Sequence, residues 1–173
     1  MNIILTGLRG SGKSTIGRDL AEELWRDFID LDDRVLALFN ETTIVDVFRN
    51  KGEQAWREAE VKALAEVMKK DNCIIALGGG TAMIPEAAEI LQKYREKRGD
   101  KIIYLKASAK VLRDRLNNET GDRPSLTGTG VADEVEQVLK KRDTVYENLA
   151  DAVLLVDDLT VTEAGRFIVR LVM

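Results

Sequence analysis

The stretch Asn2-Ile-Ile-Leu-Thr-Gly7-Leu-Arg-Gly10-Ser11-Gly12-Lys13-Ser14-Thr15 decides how the chain is read. An apolar, strand-like run, Asn2–Thr6, meets a glycine turn, and Gly7 to Ser14 fits the pattern G-x-x-x-x-G-K-[ST]. Each element answers a physical need. Glycines let the backbone wrap closely around a phosphate, with successive N–H groups turned inward as an anion nest. A helix starting near Lys13 adds the positive end of its dipole. Lys13 is expected to reach the β- and γ-phosphates and the Ser14 hydroxyl to ligate Mg²⁺. A nucleoside triphosphate with magnesium follows. Who receives the phosphate does not.

Outward from this loop, four more short apolar runs recur: Phe28–Leu31, Cys73–Leu77, Lys101–Leu105 and Ala152–Val156. They are near-continuous rather than alternating, as in strands buried on both faces of a parallel sheet. Charged stretches with helical spacing separate them. Glu53–Lys70 places Trp56, Glu60, Ala63 and Val67 on one side, and Asp133–Leu149 repeats the pattern with Val135, Val138, Leu139, Val145 and Leu149. Pro85 is placed to begin a helix after Thr81–Ile84. Strand and helix in alternation predict a three-layer α/β/α fold with a five-stranded parallel sheet and right-handed crossovers. Neither linker nor repeat divides the 173 residues, so one domain over 1–173 is expected. The irregular segment 117–131, with Gly121, Arg123-Pro124, Gly128 and Gly130, is either a lid or a surface loop; Arg123 in its middle favours a mobile lid.

Composition narrows the chemistry. Hydrophobic residues at 45% and charged residues at 32% fit a globular chain and exclude general disorder. A net charge of −4 argues against nucleic acid as the main partner. With no histidine and a single cysteine, Cys73, His-based nucleophile activation, His-ligated zinc and disulfide frameworks are excluded. No apolar run approaches membrane-spanning length and no leader pattern opens the chain, so a cytoplasmic protein without a membrane partner is expected.

Three further clusters bear on the acceptor. In Phe28-Ile-Asp30-Leu-Asp32-Asp33, strand alternation would turn Asp30 and Asp32 to one face, beyond the carboxyl end of the second strand where ligands of open α/β sheets bind. The alternative is that Asp32 or Asp33 caps the next helix. Arg57 and Glu60 lie one helical turn apart, as in an ordinary surface ion pair. Gly78-Gly79-Gly80 implies either a sharp bend or a backbone that a ligand approaches closely.

The set G-x-x-G-S-G-K-S (Gly7–Ser14), F-x-D-x-D (Phe28–Asp32), F-R-x-x-G-E-x-x-W-R-x-x-E (Phe48–Glu60), G-G-G (Gly78–Gly80), R-P (Arg123–Pro124) and R-x-x-x-Y (Arg142–Tyr146) resembles the shikimate kinases over nearly the whole chain. The resemblance implies a P-loop fold like that of nucleoside monophosphate kinases and transfer of the ATP γ-phosphate to the 3-hydroxyl of shikimate, in a monomer. It implies a nucleotide site of Gly10, Ser11, Gly12, Lys13, Ser14, Thr15, Arg115 and Arg123, with Arg115 against the adenine and Arg123 over the phosphates. The acceptor site it implies contains Asp32, Phe48, Trp56, Arg57, Gly78, Gly79, Gly80 and Arg142. Arg57 and Arg142 would bind the carboxylate, Phe48 and Trp56 would form an apolar wall, and Gly79 would offer its N–H. Lys13, Asp32 and Arg123 would act in catalysis, with Ser14 and Asp30 towards Mg²⁺. Rival acceptors within the same fold, such as gluconate, and a silent nucleotide-binding switch protein are the other readings. Trp56 stands where the family commonly has Phe, Ser125 where leucine is frequent, and no basic residue follows the last strand around Asp157–Thr160.

Overall fold

The apolar runs form one parallel sheet in the computed structural model, which describes residues 1–118 and 134–172. The segment 119–133, with Arg123 and most of the expected lid, lies outside the described residues. In chain order the strands are β1 (Ile3–Thr6), β2 (Asp27–Asp30), β3 (Cys73–Ala76), β4 (Lys101–Lys106) and β5 (Ala152–Leu155). Their order across the sheet is β2-β3-β1-β4-β5, and all four pairings are parallel. Such pairs need helical crossovers. These are supplied by α1 (Lys13–Leu24), α2 (Leu31–Leu36), α3 (Ile44–Lys51), α4 (Glu53–Val67), α5 (Pro85–Arg98), α6 (Ala109–Asn117) and α7 (Val135–Leu149), and α8 (Val161–Val172) follows β5.

The sheet divides two cores, because alternate strand residues point to opposite faces. Ile3 and Leu5 join Leu20 and Ile168 on one side, while Ile4 joins Leu31, Leu64 and Leu91 on the other. Burial on both faces holds for β1, β3 and most of β4. The edge strands differ: Val153 and Leu155 of β5 and Asp27 of β2 are exposed, and among the described residues β2 and β5 are the outer strands of the sheet.

The helices keep the predicted faces with one exception. Trp56, Glu60, Ala63 and Val67 are buried along α4, and Pro85 opens α5. On α7, however, Val145 is exposed and the neighbouring Tyr146 is buried. The hydrophobic pattern favoured the valine; the tertiary setting favours Tyr146, whose hydroxyl finds a carbonyl. Cys73 is a buried strand residue, its thiol pushed up by burial. Among the described residues no helix is long and apolar enough to cross a membrane.

Candidate active site

Two cavities adjoin at the carboxyl end of the sheet, where the loops after β1 and β3 meet, with Arg9 in both. This is the crevice where the strand order reverses: β1 leads by crossover to β2 on one side while β4 lies on the other. The larger, about 930 Å³, is lined by Gly10, Gly12, Lys13, Ser14, Thr15, Asp30 and Arg115 among others. The smaller, about 100 Å³, is lined by Phe48, Trp56, Arg57, Gly78, Gly79, Gly80 and Arg142. Arg9, Asp32 and Ile44 line both.

The glycine turn after β1 wraps as its composition requires, with Gly7, Gly10 and Gly12 all at positive φ. Lys13 Nζ donates to the Gly7 (2.9 Å) and Leu8 (3.0 Å) carbonyls, so the lysine braces the loop from within. Ser11 lies away from the cleft: it is buried, and its N–H is donated to Leu8. Arg115 crosses from α6 to the Gly10 carbonyl (3.0 Å) and to that of Val156 (3.4 Å), forming the far wall of the larger cavity. Beyond β5 that wall is apolar, with Val156, Leu159 and Val161.

The aspartate cluster is built differently from strand alternation. β2 ends at Asp30, and Asp32 lies in the first turn of α2. The helix cap is Asp30, whose Oδ1 accepts from the Asp32 N–H at 3.1 Å, rather than Asp32 or Asp33. Its other oxygen, Oδ2, accepts from Ser14 Oγ at 2.5 Å. One carboxylate therefore ties the phosphate loop to the turn that carries Asp32. The buried Asp32 side chain lines both cavities.

Nor is the Arg57–Glu60 pair a surface one. Glu60 is wholly buried and accepts from Arg57 Nη1 at 2.9 Å and from the Thr81 hydroxyl. Arg57 Nε and Nη2 donate to Glu53 at 3.2 and 2.8 Å, so two carboxylates hold the fork. Burial pushes the Glu60 carboxyl up, against the pull of the Thr81 hydroxyl and the Arg57 charge. Arg57 is lowered by burial but raised more by Glu60 and Glu53, and stays charged.

Two of the three glycines are required by close neighbours. A Cβ on Gly78 would lie 2.5 Å from Asp32 Oδ1 and 2.7 Å from Glu60 Oε1. On Gly80 it would enter the guanidinium of Arg57. The close approach is therefore made by the protein's own charged side chains. Gly79 keeps more room, and its carbonyl accepts from Arg142 Nη1 (2.9 Å) and Tyr146 Oη (2.5 Å). Opposite stands an aromatic wall, with Trp56 stacked on Phe39 at 6.1 Å and tilted against Phe48 at 6.0 Å. The smaller cavity thus offers the guanidinium groups of Arg9, Arg57 and Arg142, the carboxylates of Asp32, Glu60 and Glu134, and an apolar wall; the larger carries the glycine turn.

The family's sequence model for shikimate kinase matches residues 9–172. The chain belongs to the shikimate kinase family. Shikimate kinase 2 of Photorhabdus laumondii is 37% identical over 154 residues, which cover 88% of this chain and 84% of that protein. Shikimate kinase of Thermus thermophilus is 39% identical over 144 residues, covering 83% and 75%. Among solved structures, shikimate kinase from Acinetobacter baumannii in complex with shikimate has a TM-score of 0.88 at 28% identity, covering 98% of this chain and 91% of that one. The enzyme from Bacteroides thetaiotaomicron has a TM-score of 0.83 at 31% identity, over 99% and 96%. The chain is accordingly an ATP-dependent phosphotransferase with an alcohol acceptor.

Arg9, Ile44, Glu134 and Tyr146 were not among the expected site residues of this kinase. Arg9 occupies a free position of the glycine pattern and Ile44 the start of α3, so neither carried a local signal. Glu134, buried beside α7, lines the smaller cavity next to Val135. Tyr146 was visible as the end of R-x-x-x-Y, but the spacing alone gave it no task.

Proposed function

We propose that this kinase transfers the γ-phosphoryl group of ATP to the 3-hydroxyl of shikimate, giving shikimate 3-phosphate and ADP. The observation that carries the reading is the buried Asp32 at the junction of a phosphate-binding cavity and a cavity with paired arginines. Arg57 and Arg142 bind the acceptor's carboxylate, since planar guanidinium groups match carboxylate geometry and keep their charge. Phe48 and Trp56 pack on the ring. Asp32 accepts hydrogen bonds from the ring hydroxyls and receives the proton of the attacking one. Lys13 and the loop N–H groups offset the charge spread over the transferring phosphoryl group. Arg123 takes a share of that charge on the strength of the resemblance alone.

The residues beside the phosphate loop suit a magnesium ion. Ser14 Oγ and Asp30 Oδ2 are hard oxygen donors in contact, and among the described residues no group of three or more His, Cys, Asp or Glu forms an all-protein cage. Magnesium favours such sparse sites, keeping waters and substrate phosphates as its other ligands. Ser14 would hold it directly and Asp30 through water; when bound, the ion neutralises phosphate charge.

Gly80→Ala tests the acceptor side cheaply. The new methyl group displaces the Arg57 guanidinium, which Glu53 and Glu60 otherwise pin. We expect the shikimate KM to rise about tenfold, the size of one lost charge-assisted hydrogen bond, with the ATP KM unchanged. Steady-state kinetics in both substrates read this directly.

The reading itself is tested by ADP release from Mg·ATP with shikimate in one series and gluconate in another. Release with shikimate alone, and one phosphorylated product by mass, is the expected result. Release with gluconate alone would reassign the acceptor to an open-chain hydroxy acid.

A further inference from the structure

We infer that Tyr146 is a positioning residue of the carboxylate site: its buried hydroxyl shares the Gly79 carbonyl with Arg142 and thereby holds the arginine in place. The inference rests on the proposed acceptor reading and adds a residue that touches no substrate, since Tyr146 lines neither cavity.

Arg142 and Tyr146 lie four residues apart on α7, on one face of the helix. Both reach one acceptor, with Arg142 Nη1 at 2.9 Å and Tyr146 Oη at 2.5 Å from the Gly79 oxygen. A carbonyl has two lone pairs, so these donors fill it. The Tyr146 ring is fully buried and packs on Tyr104 of β4 at 5.0 Å. Tyr104 in turn donates to Asp143, the neighbour of Arg142, and Lys106 donates to the other oxygen of that carboxylate. Helix α7 is therefore fastened to β4 by Asp143 and to the loop after β3 by Tyr146. Arg142 hangs between the two fastenings.

A phenylalanine would fill the same volume and keep the ring contact, so the hydroxyl has a task of its own. Without it, Arg142 is the remaining donor to Gly79, and each rotation of its long side chain breaks the register between α7 and the glycine loop. Burial holds the Tyr146 hydroxyl well above its ordinary range, at about 12, against the pull of the Arg142 charge, so it is a neutral donor across working pH.

The test is Tyr146→Phe, with Tyr104→Phe as its partner, since that change removes a hydroxyl from the same ring pair but not from Gly79. Wild-type ADP release with shikimate comes first; no stimulation would overturn the acceptor reading and the inference together. Given stimulation, Tyr146→Phe should raise the shikimate KM about tenfold, the magnitude of one net hydrogen bond, with kcat within about twofold and the ATP KM unchanged. Tyr104→Phe should leave the shikimate KM at the wild-type value, because Asp143 keeps Lys106. In an Arg142→Ala background, adding Tyr146→Phe should change the KM little, since the residue acts through that arginine. An unchanged KM in Tyr146→Phe, an equal rise in Tyr104→Phe, or fully additive effects would each overturn the assignment. If Tyr146→Phe folds too weakly for kinetics, the rise in melting temperature caused by shikimate gives the same comparison. It should shrink in Tyr146→Phe and keep its full size in Tyr104→Phe.

Discussion

Replacing Asp32 by Asn is expected to lower kcat about a thousandfold, the range of a lost proton acceptor, while the shikimate KM rises less than about tenfold. The asymmetry follows from where Asp32 sits. It is buried in the first turn of α2, at the meeting of both cavities, with Gly78 leaving room for its carboxylate. Its backbone is held by Asp30, which also takes the Ser14 hydroxyl, so the phosphate loop and the acceptor's partner move as one unit. Asparagine keeps the volume and one hydrogen-bonding oxygen, and much of the acceptor's binding survives. It has no charge to draw the hydroxyl proton as the phosphoryl group arrives. Because phosphoryl transfer passes through a loose transition state, the orienting part of the role matters as well. Asp32→Ala, which loses both parts, should fall further in kcat than Asp32→Asn. Should Asp32→Asn retain more than about a tenth of the wild-type kcat, an effect too small for a lost acceptor, Asp32 would be removed from proton transfer.

The phosphate loop and the sheet were legible because their signals are local. Gly7–Ser14 is a contiguous pattern, and a strand buried on both faces leaves an unbroken apolar run. The edge strands show where that logic weakens: Val153 and Leu155 of β5 are as apolar as their neighbours, yet they are exposed, because burial depends on what packs over each face and not on the run itself. Alternation put Asp30 and Asp32 on one face of the second strand, but the chain turns into α2 between them, and that change of element alters which side chain caps and which lines the cavities. Spacing likewise placed Arg57 beside Glu60 without saying how deep the pair lies. Depth is set by the loop after β3, more than ten residues on, through Thr81 and Gly78. Tyr146 escaped for the converse reason: its hydroxyl gains meaning only from a carbonyl 67 residues away.

Glu60 should give the largest stability effect in the acceptor site, and its pH dependence should run opposite to that of an ordinary paired carboxylate. Glu60→Ala leaves the Arg57 Nη1 and Thr81 hydroxyl donors without their buried acceptor. Breaking such a pair from one side costs about 3 kcal/mol, and urea unfolding measures it. Glu60→Gln keeps the shape and an acceptor oxygen but no charge, so it should cost less stability. It should still raise the shikimate KM, because the arginine fork loses one of the two carboxylates that aim it. The sign with pH follows from burial, which holds the folded Glu60 carboxyl above its ordinary value. Between the unfolded and folded values the native state binds more protons, so this group's contribution to stability falls as pH rises through that window. A carboxylate whose pKa is depressed by pairing would behave the other way. Relative to wild type, Glu60→Gln should therefore gain stability as pH rises from about 4 towards 7, across and above the ordinary glutamate range. A steady loss over the same range would mean that pairing with Arg57 outweighs the burial of the charge. Glu60 would then hold Arg57 chiefly as a salt bridge, and the depth of the pair would cost the fold nothing.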